Sequence, residues 1–111
     1  MTDASAFTWT WARPDARTGC VTLSGDLVHR NAEQLLGAVG ERLAAHDELR
    51  ELRIDCAGLD VCDSRGLSVL LMIRRRTESL GIAMSVVNRT TMLDRLMERT
   101  GTAEYLTGES R

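Results

Sequence analysis

Hydrophobic spacing switches between period two and helical period several times along this chain, and that switching limits the fold more than any other feature. Phe7-Thr8-Trp9-Thr10-Trp11-Ala12 alternates large and small residues at period two, the pattern of a strand. Pro14 to Gly19 is rich in turn formers, and Cys20-Val21-Thr22-Leu23-Ser24 reads as a second strand that Gly25 is expected to stop. The two predict a hairpin. Ala32, Leu35, Leu36, Val39 and Leu43 then recur at helical spacing to about His46. Asn31 is the expected N-cap, and Glu33 lies in the first turn, where an acid suits the helix dipole. Leu52, Ile54 and Cys56 alternate with Arg53 and Asp55, which predicts a third strand over 50–56 and a loop over 57–63.

Asp63 or Ser64 can cap a second helix. Its first half is apolar around most of its circumference, with Leu67, Val69, Leu70, Leu71, Met72 and Ile73, before Arg74, Arg75 and Arg76 turn to solvent. Gly81 is placed to end it. Ile82, Met84 and Val86 alternate in a fourth strand, Thr90 or Thr91 opens a third helix bearing Met92, Leu93, Leu96 and Met97, and Gly101 closes that helix. Tyr105 and Leu106 are candidates for a short last strand. The order is ββαβαβα(β). Strands separated by helices pair in parallel through right-handed crossovers, and the hairpin adds an antiparallel pair. The expectation is an α/β chain with a mixed sheet of four to five strands and helices packed on one face. A length of 111 residues suits one domain, spanning 1–111 with its core about 7–107.

Composition removes several functions. The net charge of −2 gives no basic excess for nucleic acid. The 14 basic residues are all Arg, a bias of the whole chain that by itself points to no site. The longest unbroken apolar run, Val69 to Ile73, is far short of a membrane span, and the N-terminus lacks the cationic and apolar regions of a signal peptide. Cys20, Cys56 and Cys62 are odd in number and not spaced as zinc ligands, so they are expected to be reduced core residues in a cytoplasmic protein.

Cys62-Asp63-Ser64-Arg65-Gly66 sits between a strand and a helix as a nucleophile elbow does, but G-x-S-x-G requires Gly at position 62. No glycine-rich phosphate loop occurs. His46 falls at the end of the first helix, where it is expected to satisfy the last carbonyls. His29 lies after the second strand and is the one general base that could approach Ser64, with Asp26 as orienting acid; Asp26, His29 and Asp63 are the corresponding metal-site candidates. Neither set carries a supporting motif. The expectation is a protein that is not an enzyme and holds no cofactor or metal. Ser64 itself has two readings: its hydroxyl caps the helix, or it is phosphorylated at a helix start whose free amides suit an anion. Trp9 and Trp11 share one strand face, which either packs on the core or forms an apolar patch for dimerisation.

Three segments carry a resemblance to a known family. Ser24-Gly25-Asp26-Leu27 with Asn31-Ala32 resembles the family's T/S-G-E/D-L and first-helix start; Asp63-Ser64-Arg65-Gly66-Leu67 resembles D-S-[S/T]-G-L; and Leu93 to Gly101 resembles the helix and glycine before the last strand. Over roughly 17–107 the chain is similar to the STAS-domain anti-sigma factor antagonists of bacteria. The resemblance implies a STAS-like single domain with Ser64 as the phosphorylated serine. It implies an anti-sigma factor of the GHKL serine kinase type as partner, bound by the unphosphorylated form, released by phosphorylation and reset by a phosphatase, so that sigma-factor-dependent transcription is regulated. It places Asp26, His29, Asn31, Asp63, Arg65 and Gly66 around Ser64 as the docking surface, on a monomer or weak homodimer. Two residues depart from the pattern. Arg65 replaces a small hydroxyl residue, and Val28 stands where many members carry Asp. The alternative within the resemblance is a constitutive, non-phosphorylated STAS subunit of a larger complex, such as a stress-signalling assembly or a lipid-transport complex.

Overall fold

The computed structural model describes residues 6–108. Strands β1 (Thr8–Asp15) and β2 (Thr18–Leu27) are followed by helix α1 (Ala32–Ala45), strand β3 (Glu51–Cys62), helix α2 (Ser64–Ser79), strand β4 (Ala83–Val87), and helices α3 (Thr91–Thr100) and α4 (Ala103–Thr107). The four strands form one sheet in the order β1-β2-β3-β4. β1 is antiparallel to β2, and β2, β3 and β4 run parallel. This is the mixed α/β sheet that the alternating periods predict.

Burial alternates along β2 and β4 and along the first half of β3, so one face of the sheet is covered by helices and the other is open. Val21, Leu23, Leu52, Ile54, Met84 and Val86 line the covered face and join Leu35, Val39, Leu67, Leu70 and Ile73 in one core. Each large side chain fully removed from water contributes roughly 1.5–3 kcal/mol, so this layer is the main source of stability. Trp9 pairs with Leu23 and Trp11 with Val21. Residues paired across strands share a face, so both indoles lie on the helix side, half-buried at its edge. The Arg42 guanidinium lies 5.9 Å from the Trp9 ring and 5.8 Å from the Trp11 ring. The tryptophans therefore border the core and do not form a bare patch.

Several sequence expectations are corrected. β3 continues to Cys62 where a loop over 57–63 is expected, and β2 passes through Gly25 to Leu27. The reason is irregular pairing. Between the pairs Thr22↔Asp55 and Ser24↔Gly58, and again between Gly25↔Leu59 and Asp26↔Val61, β3 advances one residue more than β2. Each bulge shifts the side-chain phase, so the buried positions after Cys56 are Leu59 and Cys62, spaced by three, and the period-two signal is lost. Gly25 serves the irregular stretch with φ +93°, and a Cβ there would stand 1.9 Å from the Ala6 carbonyl oxygen.

Tyr105 and Leu106 belong to α4, and no fifth strand occurs among the described residues. Leu106 is fully buried as one side of a helical turn. Asn31 does not cap α1 with its side chain. His46 stacks on Trp11, ring centroids 6.0 Å apart, in place of meeting helix carbonyls. Arg74 is not at the surface: it lies inward and donates from Nη1 to the Met84 carbonyl at 3.1 Å. Among the described residues no helix is long and apolar enough to cross a membrane.

Candidate functional site

Parallel pairing of β2 with β3 brings the ends of both strands, Leu27 and Cys62, side by side. The loop after β2 and the start of α2 therefore meet at one edge of the fold, the carboxyl end of the parallel strands, where α/β sheets commonly place their sites. Asp63 joins the two. Its backbone is extended and it is the N-cap of α2. One carboxylate oxygen accepts the Gly66 amide at 2.8 Å, and the other accepts the His29 amide at 3.0 Å. The Asp63 amide donates to the Leu27 carbonyl at 3.3 Å. Asn31 holds the loop from inside: its Oδ1 accepts the Val28 amide at 3.0 Å and its Nδ2 donates to the Asp26 carbonyl at 2.9 Å.

With the cap supplied by Asp63, Ser64 is the first residue within α2 and is exposed. Among the described residues its hydroxyl makes no hydrogen bond; only its carbonyl is engaged, by the Ser68 hydroxyl at 2.9 Å. The capping reading of Ser64 is thereby corrected. Arg65 is also exposed and reaches Glu33 of α1 at 3.9 Å, a surface pair that adds little to stability. Gly66 is buried against the Leu27 carbonyl and the Cys62 sulfur, so it shapes the site from below and does not line its surface. Of the residues expected around Ser64, Arg65 and His29 are exposed there, Asp26, Asn31 and Asp63 are half-buried, and Gly66 is covered. Sequence reasoning missed the Leu27 carbonyl, which anchors both Asp63 and the Gly66 contact. No side-chain signal marks a backbone acceptor, and only the β2–β3 register reveals it.

The catalytic set does not form. The His29 imidazole Nδ1 faces Asp63 Oδ2 at 3.7 Å and makes no hydrogen bond to Ser64. Burial pushes the Cys56 and Cys62 thiols up to about 12, so neither is a thiolate nucleophile near neutral pH. Among the described residues no three His, Cys, Asp or Glu side chains are grouped to hold a metal ion.

Burial by itself pushes the Asp63 carboxyl up, but the Gly66 and His29 amides and the His29 ring outweigh it and hold its pKa below the ordinary 3.8. A depressed carboxyl contributes stability that is complete above its unfolded value and is lost as pH falls through the folded value. Asp63→Ala removes the cap and the loop tether and is expected to cost about 1–2 kcal/mol at neutral pH. In urea titrations the gap between wild type and Asp63→Ala should narrow as pH drops below 3.8. A gap that stays constant to the lowest pH at which both fold would show that the ionised carboxylate is not what joins loop and helix.

The family profile described as "Mlab, STAS domain" matches residues 12–108. No curated protein sequence matches the chain. Among solved structures, the anti-sigma factor antagonist SpoIIAA in its unphosphorylated form superposes with a TM-score of 0.77 at 16% identity, over 88% of this chain and 84% of that one. The phosphorylated form of SpoIIAA, from Bacillus, gives 0.69 at 17% identity, over 88% and 87%. An anti-sigma factor antagonist from Mycobacterium paratuberculosis gives 0.75 at 24%, over 94% and 86%. The same fold occurs inside a larger protein: the murine anion transporter Solute Carrier 26 family member A9 gives 0.73 at 21%, over 84% of this chain and 15% of that one. At these identities the likeness concerns the fold. The profile match spans nearly the whole of the described structure, and the chain belongs to the STAS domain family.

Proposed function

We propose that this chain is an anti-sigma factor antagonist that binds an anti-sigma factor kinase of the GHKL type while Ser64 is unmodified and is released when that kinase phosphorylates Ser64. One observation carries the reading: the Ser64 hydroxyl is exposed and unbonded among the described residues, because Asp63 has taken the helix cap. A serine needed for the fold would be engaged; this one is presented. The structural likeness to SpoIIAA, a protein with phosphorylated and unphosphorylated forms, supports the same reading. The docking surface consists of Ser64, Arg65 and the loop from Asp26 to Asn31, held in place by Asp63 and Gly66 from beneath. The chain acts as a binding module and not as an enzyme; its partner supplies Mg-ATP, and a separate phosphatase resets it. Its output is the release of a sigma factor and hence altered transcription in the cytoplasm.

A second reading is a STAS subunit held permanently in a larger assembly. It is favoured by the matching family profile, whose description names Mlab and no antagonist. Intact-mass measurement separates the two. The chain is incubated with host-cell lysate and Mg-ATP beside Ser64→Ala. Gain of one phosphoryl group by the wild type alone is the expected result. No gain, in a lysate that phosphorylates another antagonist, would sink the switch and leave the permanent subunit.

A further inference from the structure

α1 and α2 each cross between parallel strands, so they lie side by side and run in the same direction. On their solvent side they enclose an open groove. Its middle is apolar: Leu36 is half-buried against the core, and Met72 is 46% exposed. Its two rims carry opposite charge. Glu33, which Arg65 approaches at 3.9 Å, and Glu41 stand on the α1 rim; Arg75 and Arg76 rise from α2, and the Arg76 guanidinium reaches across toward Gly40. Neither Arg75 nor Arg76 forms an ion pair among the described residues.

The α1 wall adds a second peculiarity. Gly37 lies inside the helix with nothing within 4 Å of where its Cβ would stand. Glycine in a helix interior costs about 1 kcal/mol relative to alanine, and here no internal contact requires it. Gly40, one turn on, differs: Arg76 of the same chain lies 2.9 Å from where its Cβ would stand, so only Gly37 lacks an internal reason on this wall. Small residues on a helix wall matter when a second helix must approach closely.

We propose that this groove is the interface of a two-fold dimer of this chain. An isologous interface must be self-complementary, because each rim meets its counterpart on the second copy. A two-fold axis running along the groove lays α2 of one copy on α1 of the other. The arginine rim then faces the acidic rim twice. Met72 enters the space above Gly37 of the second copy and meets its Leu36. Charge pattern, exposed methionine and unexplained glycine are all used by this one arrangement. The surface is separate from the Trp9–Trp11 edge, which α1 already covers through Arg42.

Sedimentation velocity of the full chain, from micromolar to millimolar concentration, tests the proposal. The wild type is expected to move from monomer to dimer, less readily at high salt. Gly37→Arg fills open space, so its thermal transition is retained while the dimer is lost. Arg76→Glu is expected to weaken the dimer about tenfold, and Arg76→Glu with Glu41→Arg to restore it, since the pairs re-form with signs exchanged. A wild type that stays monomeric at millimolar concentration overturns the proposal and leaves the groove to a helix of some other protein. A dimer indifferent to Gly37→Arg, or a double variant no better than Arg76→Glu, overturns it equally.

Discussion

Gly66→Ala is expected to lower the thermal midpoint by about 10 °C or more. Helix propensity argues the other way. Gly66 sits in the first turn of α2, and alanine there should gain up to about 1 kcal/mol. The space decides the sign. A Cβ at Gly66 would lie 2.4 Å from the Leu27 carbonyl oxygen, 3.0 Å from the Cys62 sulfur and 3.0 Å from Leu27 Cγ. The first of these is backbone at the end of a paired strand, which cannot rotate away as a flexible side chain would. The same carbonyl receives the Asp63 amide. Relief therefore means parting β2 from the start of α2 and straining the Asp63 bonds to His29 and Gly66 together. Overpacking of this kind costs about 3 kcal/mol, which exceeds the propensity gain. Urea and thermal unfolding of Gly66→Ala check this. An unchanged midpoint would show that the end of β2 yields freely, and the loop from Asp26 to Asn31 would then have no fixed position relative to Ser64.

The parts of this fold that were legible in the sequence are those in which side-chain period reports burial without interruption. α1, β4 and α3 keep their period throughout, and the caps at Asp63 and Thr90 and the left-handed glycines Gly81 and Gly101 fall where turn chemistry places them. Legibility failed where backbone pairing carried the information. The two extra residues in β3 shift Leu59 and Cys62 out of phase, so a strand resembles a loop. Tyr105-Leu106 is too short for its period to separate strand from helix, and its place in α4 follows from Leu106 reaching the core. At the candidate site the residue types were readable but their division of labour was not. Asp63 and Ser64 are equally good caps by composition, and only geometry assigns the cap to one and leaves the other hydroxyl exposed. Asn31 likewise has the composition of a cap but spends both ends of its amide on the loop before α1.

Phosphorylation of Ser64 is expected to weaken binding to the proposed anti-sigma factor kinase at least ~100-fold, about 2.7 kcal/mol, while changing the stability of the free chain by less than about 1 kcal/mol. The two halves of this prediction have different causes. In the free chain the new dianion projects into water at a helix start. The Gly66 amide is taken by the Asp63 carboxylate and the Leu67 amide by the Asp63 carbonyl, but the amides of Ser64 and Arg65 have no acceptor among the described residues and can turn toward phosphate. The neighbouring Asp63 carboxylate repels it, and the Arg65 guanidinium, loosely held at 3.9 Å from Glu33, attracts it. These opposing surface terms nearly cancel. In the complex there is no water to take the charge. A partner covering Ser64 and the loop from Asp26 to Asn31 buries the dianion, and burial of an uncompensated charge costs several kcal/mol. Calorimetric titration of the kinase with unmodified and phosphorylated chain reads the first half; urea unfolding of the two forms reads the second. Ser64→Asp carries one charge on a shorter arm and should lose only about tenfold in affinity. Equal affinity of the two forms would mean that the partner does not cover Ser64. A large stability loss on phosphorylation would mean that release works by loosening the fold and not by charge at the interface.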